Sequence, residues 1–158
     1  MPTTLARRRT IRNVTGTRTT LAQLFEDACA RIERLEPVDA YPEAQNGALI
    51  IDIRDADARR RDGIVPGSLH IPRTVLEWRV DPESEWRNPY VGALDARLIL
   101  LCDHGYSSAL AASALVALGF SRAADVMGGF EAWRAAGLPV SAVRDRSGEV
   151  LPGLGPPD

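Results

Sequence analysis

The chain has 158 residues, 45% of them hydrophobic and 25% charged. That is the size and composition of one ordinary globular domain, which excludes a wholly disordered or collagen-like chain. The net charge of −2 hides an asymmetry: the first 20 residues carry Arg7, Arg8, Arg9, Arg12 and Arg18 with no acid, and the rest carry 14 Arg against 21 acids. Every basic side chain is Arg. The basic start reads as a solvated tail, because it has no interleaved aromatics and no wider basic face; neither a nucleic acid nor a membrane is expected as a partner. No stretch approaches the ~20 apolar residues of a membrane span, and the start lacks the apolar region of a secretory signal. Two cysteines, Cys29 and Cys102, fall short of a disulfide framework. A cytoplasmic location with reduced thiols is the expectation.

Leu21, Leu24, Phe25, Ala28, Ile32 and Leu35 follow the spacing of one apolar helix face and predict a helix over 21–35. Thr20 and Gln23 form a capping box at its start, and Pro37 marks its stop. Cys29 sits at the edge of that face, as a small packed residue or a regulatory thiol. Residues 37–47 read as a connection. Ala48–Ile53 is a short Ile-rich run, a buried strand. A weak helical pattern over Asp55–Asp62 is closed by Gly63, and Ile64–Gly67 has turn chemistry. Leu69–Ile71 is a second short strand, and Arg73–Arg79 a helical turn or two. Residues 81–96, with Pro82, Pro89 and Gly92, form a surface excursion. With Trp78, Trp86 and Tyr90 nearby, the 74–96 segment is expected to border the mouth of the site as a lid; a packed connection is the alternative. Arg97–Cys102 is the clearest strand. Ala109–Leu118 is a helix apolar on nearly all sides, stopped by Gly119. Ala124–Met127 is a further strand, and Phe130–Ala136 a last helix stopped by Gly137. The Pro/Gly-rich stretch 145–158 reads as loose. The division is a basic, disordered tail over 1–19, one domain over 20–141 and a Pro/Gly-rich tail over 142–158.

Strands alternating with helices imply a parallel sheet covered on both faces, with functional groups at the carboxyl ends of its strands. Cys102 stands at such an end. It is followed by Asp103-His104-Gly105-Tyr106-Ser107-Ser108 and then by a helix. The free N–H groups of such a loop and first helical turn make an anion-binding nest, and the helix dipole favours thiolate over thiol. Gly105 gives the loop backbone freedom. Cys102 is therefore a candidate nucleophile, with a buried inert cysteine as the plain alternative. The only histidines are His70 and His104, and the cysteines are widely separated, so no metal site is expected. Without a phosphate-cradling glycine motif, no cofactor is expected either.

Three segments in order carry a family resemblance. They are I-D-I-R-D at 51–55 with D-G-I-V-P-G-S-L-H-I-P at 62–72, L-L-C-D-H-G-Y-S-S at 100–108, and L-G-F-S-R-A-A-D-V-M-G-G-F-E-A-W-R-A-A-G-L-P-V at 118–140. From about Ala48 to Val140 the chain resembles a rhodanese-like sulfurtransferase domain. The resemblance implies an α/β fold with a central, mainly parallel sheet of about five strands and helices on both faces. It implies a sulfurtransferase in which Cys102 takes sulfane sulfur from a small donor such as thiosulfate or a persulfide. The sulfur then passes to a thiol or protein acceptor. By the same match, Asp103, His104, Gly105, Tyr106, Ser107 and Ser108 cradle the persulfide. Asp52 and Arg54 fill the family's D-x-R positions as a supporting pair, and Gly128, Gly129 and Trp133 fall at scaffold positions.

The chain also departs from the family. Many active members carry Arg where Ser107 stands, and a basic or polar residue where Asp103 stands. Asp103 beside the sulfur opposes ionisation and repels a dianion. His104 restores charge when protonated or is a solvent-exposed side chain. Ser107 and Ser108 cap the helix or donate hydrogen bonds to a bound anion, capping being the favoured reading. With no Arg at the end of the loop, phosphatase chemistry lacks its bidentate clamp. A rhodanese-like binding or regulatory module, with weak or no turnover, is the second functional reading.

Overall fold

The alternation along the central strands fixes the two layers of the core. β2 (Leu49–Asp52) and β4 (Leu98–Leu101) pair in parallel register, Ile51 opposite Leu100 and Ile50 opposite Ile99. Successive side chains of a strand point to opposite faces. Ile51, Leu98 and Leu100 accordingly join one apolar cluster, with Leu115 and Phe120; Ile50, Ile99 and Leu101 join another, with Phe130 and Trp133. Both faces of the sheet are buried, which is why these strands read as continuous apolar runs.

In this computed structural model, residue 16, residues 18–146 and residues 151–158 are described. Arg7, Arg8, Arg9 and Arg12 of the basic tail lie outside them. Five strands form one all-parallel sheet in the order β1-β5-β4-β2-β3, with β1 at Glu33–Leu35, β3 at Leu69–His70 and β5 at Ala124–Val126. The helices are α1 (Leu21–Arg31), α2 (Pro37–Gln45), α3 (Ala56–Asp62), α4 (Leu76–Val80), α5 (Ser107–Ala117) and α6 (Gly129–Ala135). Leu76 and Val80 of α4 and Ala111, Ala112 and Leu115 of α5 cover one face; Ala40 of α2 and Phe130 and Trp133 of α6 cover the other. The expected α/β architecture with helices on both faces is present. Among the described residues no helix is long and apolar enough to cross a membrane.

The predicted helix over 21–35 stops earlier. The capping box of Thr20 and Gln23 is formed, but α1 ends at Arg31, and Ile32 is extended. Residues 33–35 instead complete the sheet, with Glu33 opposite Ala124 and Leu35 opposite Val126. Satisfying the free edge of β5 outweighs three more residues of helix. Pro37 is then not a stop but the first residue of α2, where its missing N–H costs nothing. The predicted connection over 37–47 is mostly this helix.

Two expectations about the periphery are corrected. Much of the lid expected over 74–96 packs at the end of α5 away from Cys102. Asp81, Pro82, Glu83 and Ala93–Asp95 lie around Leu118, and Arg122 donates to the Asp95 carbonyl at 3.3 Å. That is the far end of α5, about 15 Å along the helix axis from its start. Glu77, Trp78 and Ser84 lie beside Leu118 as well, so this packing is at the end of the helix away from Cys102. Nor is the C-terminal stretch loose over 151–158. Arg79 donates to the Pro152 carbonyl at 2.8 Å, and the buried Asn88 amide donates to the carbonyls of Gly153 and Gly155 at 2.9 and 2.8 Å. Asp158 bonds backbone to backbone with Gly67 and Ser68, and its carboxylate pairs with Arg59 and Arg146. Proline and glycine leave carbonyls free to accept, and buried donors on the domain collect them.

Asn88→Ala removes both amide donors to the C-terminal stretch at once. A loss of roughly 2–3 kcal/mol is expected in urea unfolding, with faster proteolytic release of the C-terminal stretch. Unchanged stability and protease resistance would show that the stretch is not held by Asn88.

Candidate active site

β4 ends at Leu101, α5 begins at Ser107, and Cys102 opens the loop between them. The Cys102 side chain is 5% exposed. Its Sγ accepts the Gly105 N–H at 3.1 Å and the Ser108 N–H at 3.4 Å, and it lies 3.2 Å from Ser108 Oγ. Tyr106, the N-cap of α5, makes no side-chain cap. Ser107 and Ser108 do not cap the helix as expected. They are its first two residues, and the sulfur takes the N–H that a cap would otherwise satisfy. Burial pushes the Cys102 thiol up, yet its pKa lies below the usual value. The hydroxyls of Ser107 and Ser108 and the N–H groups of Ser108 and Gly105 pull it down by more.

Backbone, not side chains, shapes this loop. The Cys102 carbonyl accepts the Phe130 N–H at 2.7 Å, and the Asp103 carbonyl accepts the Glu131 N–H at 3.1 Å. The free N–H groups of α6 thus hold the start of the loop. Gly129 has no side chain because a Cβ would stand 2.5 Å from the Cys102 oxygen. Gly105 has φ +84°, and a Cβ there would stand 2.6 Å from the Gly128 nitrogen.

The other predicted residues fall around this cradle in different ways. Asp103 is on its lip, with a side chain 44% exposed and 4.0 Å from Arg54 Nη1. Its expected opposition to ionisation is outweighed by the donors around the sulfur. His104 is exposed, its Nε2 2.8 Å from Glu131 Oε2. Tyr106 is exposed and lays its ring against Phe25 of α1, centroids 5.6 Å apart. Asp52 and Arg54 do not reach the sulfur. Arg54 donates to both Asp52 oxygens at 3.0 and 2.8 Å and to the Gly63 carbonyl at 2.8 Å, and its guanidinium lies 3.8 Å above the Phe130 ring. Arg59 donates to Asp52 as well, at 3.1 Å. This buried pair ties β2 to the end of α3 and to α6.

Two functional candidates escaped the sequence reading. Arg34, on β1, chelates Asp125 through Nε and Nη2, both at 2.9 Å, and Nη2 also donates to the Gly105 carbonyl at 2.5 Å. Asp125, on β5, is fully buried and accepts the Ser108 hydroxyl at 2.8 Å. A carboxylate flanked by Ala124 and Val126 in a buried strand was the available signal, since such a group requires a partner.

A thiol held among N–H donors at the start of a helix, on the carboxyl edge of a parallel sheet, is a candidate nucleophile in an anion cradle. Residues 36–136 match the rhodanese-like domain family, and the chain belongs to that family. It is 35% identical over 104 residues to the thiosulfate sulfurtransferase GlpE of Pseudomonas savastanoi pv. phaseolicola, covering 65% of this chain and 88% of that one. Among solved structures it resembles a Rhodopseudomonas palustris protein described as a possible tyrosine phosphatase. The TM-score is 0.72 at 34% identity, over 80% of this chain and all of the other. It also resembles the polysulfide-sulfur transferase homodimer of Wolinella succinogenes. There the TM-score is 0.61 at 26% identity, over 81% of this chain and 90% of that one.

Gly105→Ala forces the loop off the Gly128 backbone. A stability loss of about 2 kcal/mol or more is expected, with iodoacetamide reactivity of the remaining folded protein reverting toward that of an ordinary buried thiol. Wild-type stability and reactivity would show that the loop does not need this close approach.

Proposed function

We propose that the protein is a sulfurtransferase that carries sulfane sulfur as a Cys102 persulfide. The observation that carries this reading is the set of donors on Cys102 Sγ, supported by relatives named as thiosulfate and polysulfide sulfurtransferases. The Cys102 thiolate attacks the outer sulfur of the donor. A sulfur–sulfur bond forms, the donor's own sulfur–sulfur bond breaks, and its electron pair leaves with sulfite or with a thiolate. The loop N–H groups and the Ser107 hydroxyl hold the terminal sulfur anion. An acceptor thiolate then attacks that outer sulfur, and Cys102 leaves as the thiolate. Each step is favoured by the donors that lower the thiol pKa. No group other than the two sulfur substrates is required.

The lip selects among donors. Asp103 is half-exposed there, and Ser107 offers no positive charge to a dianion. A thiol persulfide, whose reacting group carries a single negative charge, is therefore the preferred donor over the thiosulfate dianion. Asp52 and Arg54 support the loop from outside without touching the reacting atoms. A reducing cytoplasm suits a free thiol of this kind.

The test is intact-mass measurement after incubation with thiosulfate and, separately, with a thiol persulfide, for wild type and Cys102→Ser. A gain of one sulfur that depends on Cys102, larger with the persulfide, is expected. Asp103→Ser is expected to raise the rate with thiosulfate roughly tenfold, and less with the persulfide. No gain from either donor, in folded protein with a free thiol, would replace this reading with that of a binding module.

A further inference from the structure

Asp125 is a buried carboxylate two hydrogen bonds from the sulfur, and the steps above make no use of it. A carboxylate only accepts, so the Ser108 hydroxyl proton is the one between Ser108 Oγ and Asp125 Oδ2, 2.8 Å apart. Ser108 therefore turns a lone pair to Cys102 and accepts the S–H across 3.2 Å. A hydroxyl has one proton. Ser108 can donate to the sulfur only by withdrawing from Asp125. The carboxylate tolerates that withdrawal because Arg34 donates to both its oxygens at 2.9 Å.

We propose that Asp125, clamped by Arg34, is a positioning residue that sets, through the single proton of Ser108, how readily the Cys102 sulfur takes on negative charge. The inference rests on the reading of Cys102 as the reacting sulfur. Asp125 competes with the sulfur for the proton, and Arg34 weakens that competition while holding the carbonyl of Gly105, the residue whose N–H faces the sulfur. The other charges near Cys102 are engaged elsewhere. Asp103, on its own loop, faces Arg54 beyond the end of β2, and His104 faces Glu131 of α6 in solvent. Arg34 of β1 and Asp125 of β5 are the charged groups joined to the sulfur through the Ser108 side chain.

The experiment is the pH profile of iodoacetamide alkylation at Cys102, in a Cys29→Ser background. Asp125→Asn lets the amide donate to Ser108 and sends the hydroxyl proton to the sulfur; the midpoint is expected to fall by about one pH unit. In a Ser108→Ala background the same substitution is expected to move it by less than half as much. Arg34→Gln leaves Asp125 a stronger competitor, and the midpoint is expected to rise. Equal shifts with and without Ser108 would overturn the relay in favour of a direct field, and unmoved midpoints in folded Asp125→Asn and Arg34→Gln would overturn the role altogether. If Asp125→Asn does not fold, Arg34→Lys, which keeps a cation beside the buried carboxylate, is measured with and without Ser108; a shift of equal size in both overturns the relay. Alkylation uses no sulfur donor. A protein that shows these shifts yet takes up no sulfur would refute the sulfurtransferase reading and leave the relay standing.

Discussion

Everything at the carboxyl edge of the sheet depends on where the first free N–H groups of α5 are directed. A helix start has unpaired donors, and most sequences satisfy them with a Ser, Thr, Asp or Asn side chain. Here the sulfur of Cys102 accepts the Ser108 N–H, and Gly105 contributes a second one. Burial alone would leave this thiol neutral and inert. The converging donors outweigh burial and lower the thiol pKa, and they do so with the Ser107 and Ser108 hydroxyls and two backbone N–H groups rather than with a charged side chain. The missing loop arginine therefore does not leave the sulfur without stabilisation; its absence bears on which donors approach.

Charge near the sulfur is arranged in two separate pairs with different neighbours. Arg54 is held by Asp52, lies on the Phe130 ring and leaves Nη1 facing Asp103 at the lip. Arg34 is held by Asp125 and touches the loop from the other side. Breaking a buried pair by removing one partner typically costs about 3–5 kcal/mol, because the survivor is left uncompensated. These pairs thus make the loop's surroundings intolerant of single changes, while the lip residues His104 and Tyr106 are exposed and free to vary in chemistry.

The central strands, the helix after Cys102 and the loop itself were legible because their signals are local. A run such as Leu98–Leu101 has no plausible reading other than a buried strand, and Gly105 announces a backbone turn. Three of the features that complete the site were not local. β1 was hidden inside a helical pattern, and only the unpaired edge of β5 draws residues 33–35 out of it. Arg34 was invisible as a partner for the same reason, since its neighbour Asp125 lies 91 positions away. Local chemistry favours the serines as caps, whereas the sulfur's position relative to the helix start is a tertiary fact. The C-terminal stretch looked loose because proline and glycine carry no packing signal; its anchors, Asn88 and Arg79, belong to the domain it returns to.

The carbonyls of the loop have a consequence of their own. Those of Cys102 and Asp103 are bonded to the start of α6, and that of Gly105 to Arg34. Three carbonyl acceptors around the thiol are thus tied to partners outside the loop, and the N–H groups that face the sulfur from Gly105 and Ser108 are donors. A bare thiolate is ordinarily an attractive ligand for soft metal cations, which complete their coordination with oxygen, nitrogen or sulfur lone pairs. A cation reaching the sulfur would meet the N–H groups of Gly105 and Ser108, and the carbonyls of Cys102, Asp103 and Gly105 could turn to it only by giving up their present bonds. The same peptide orientation that presents donors to an anion turns these carbonyls away from a metal.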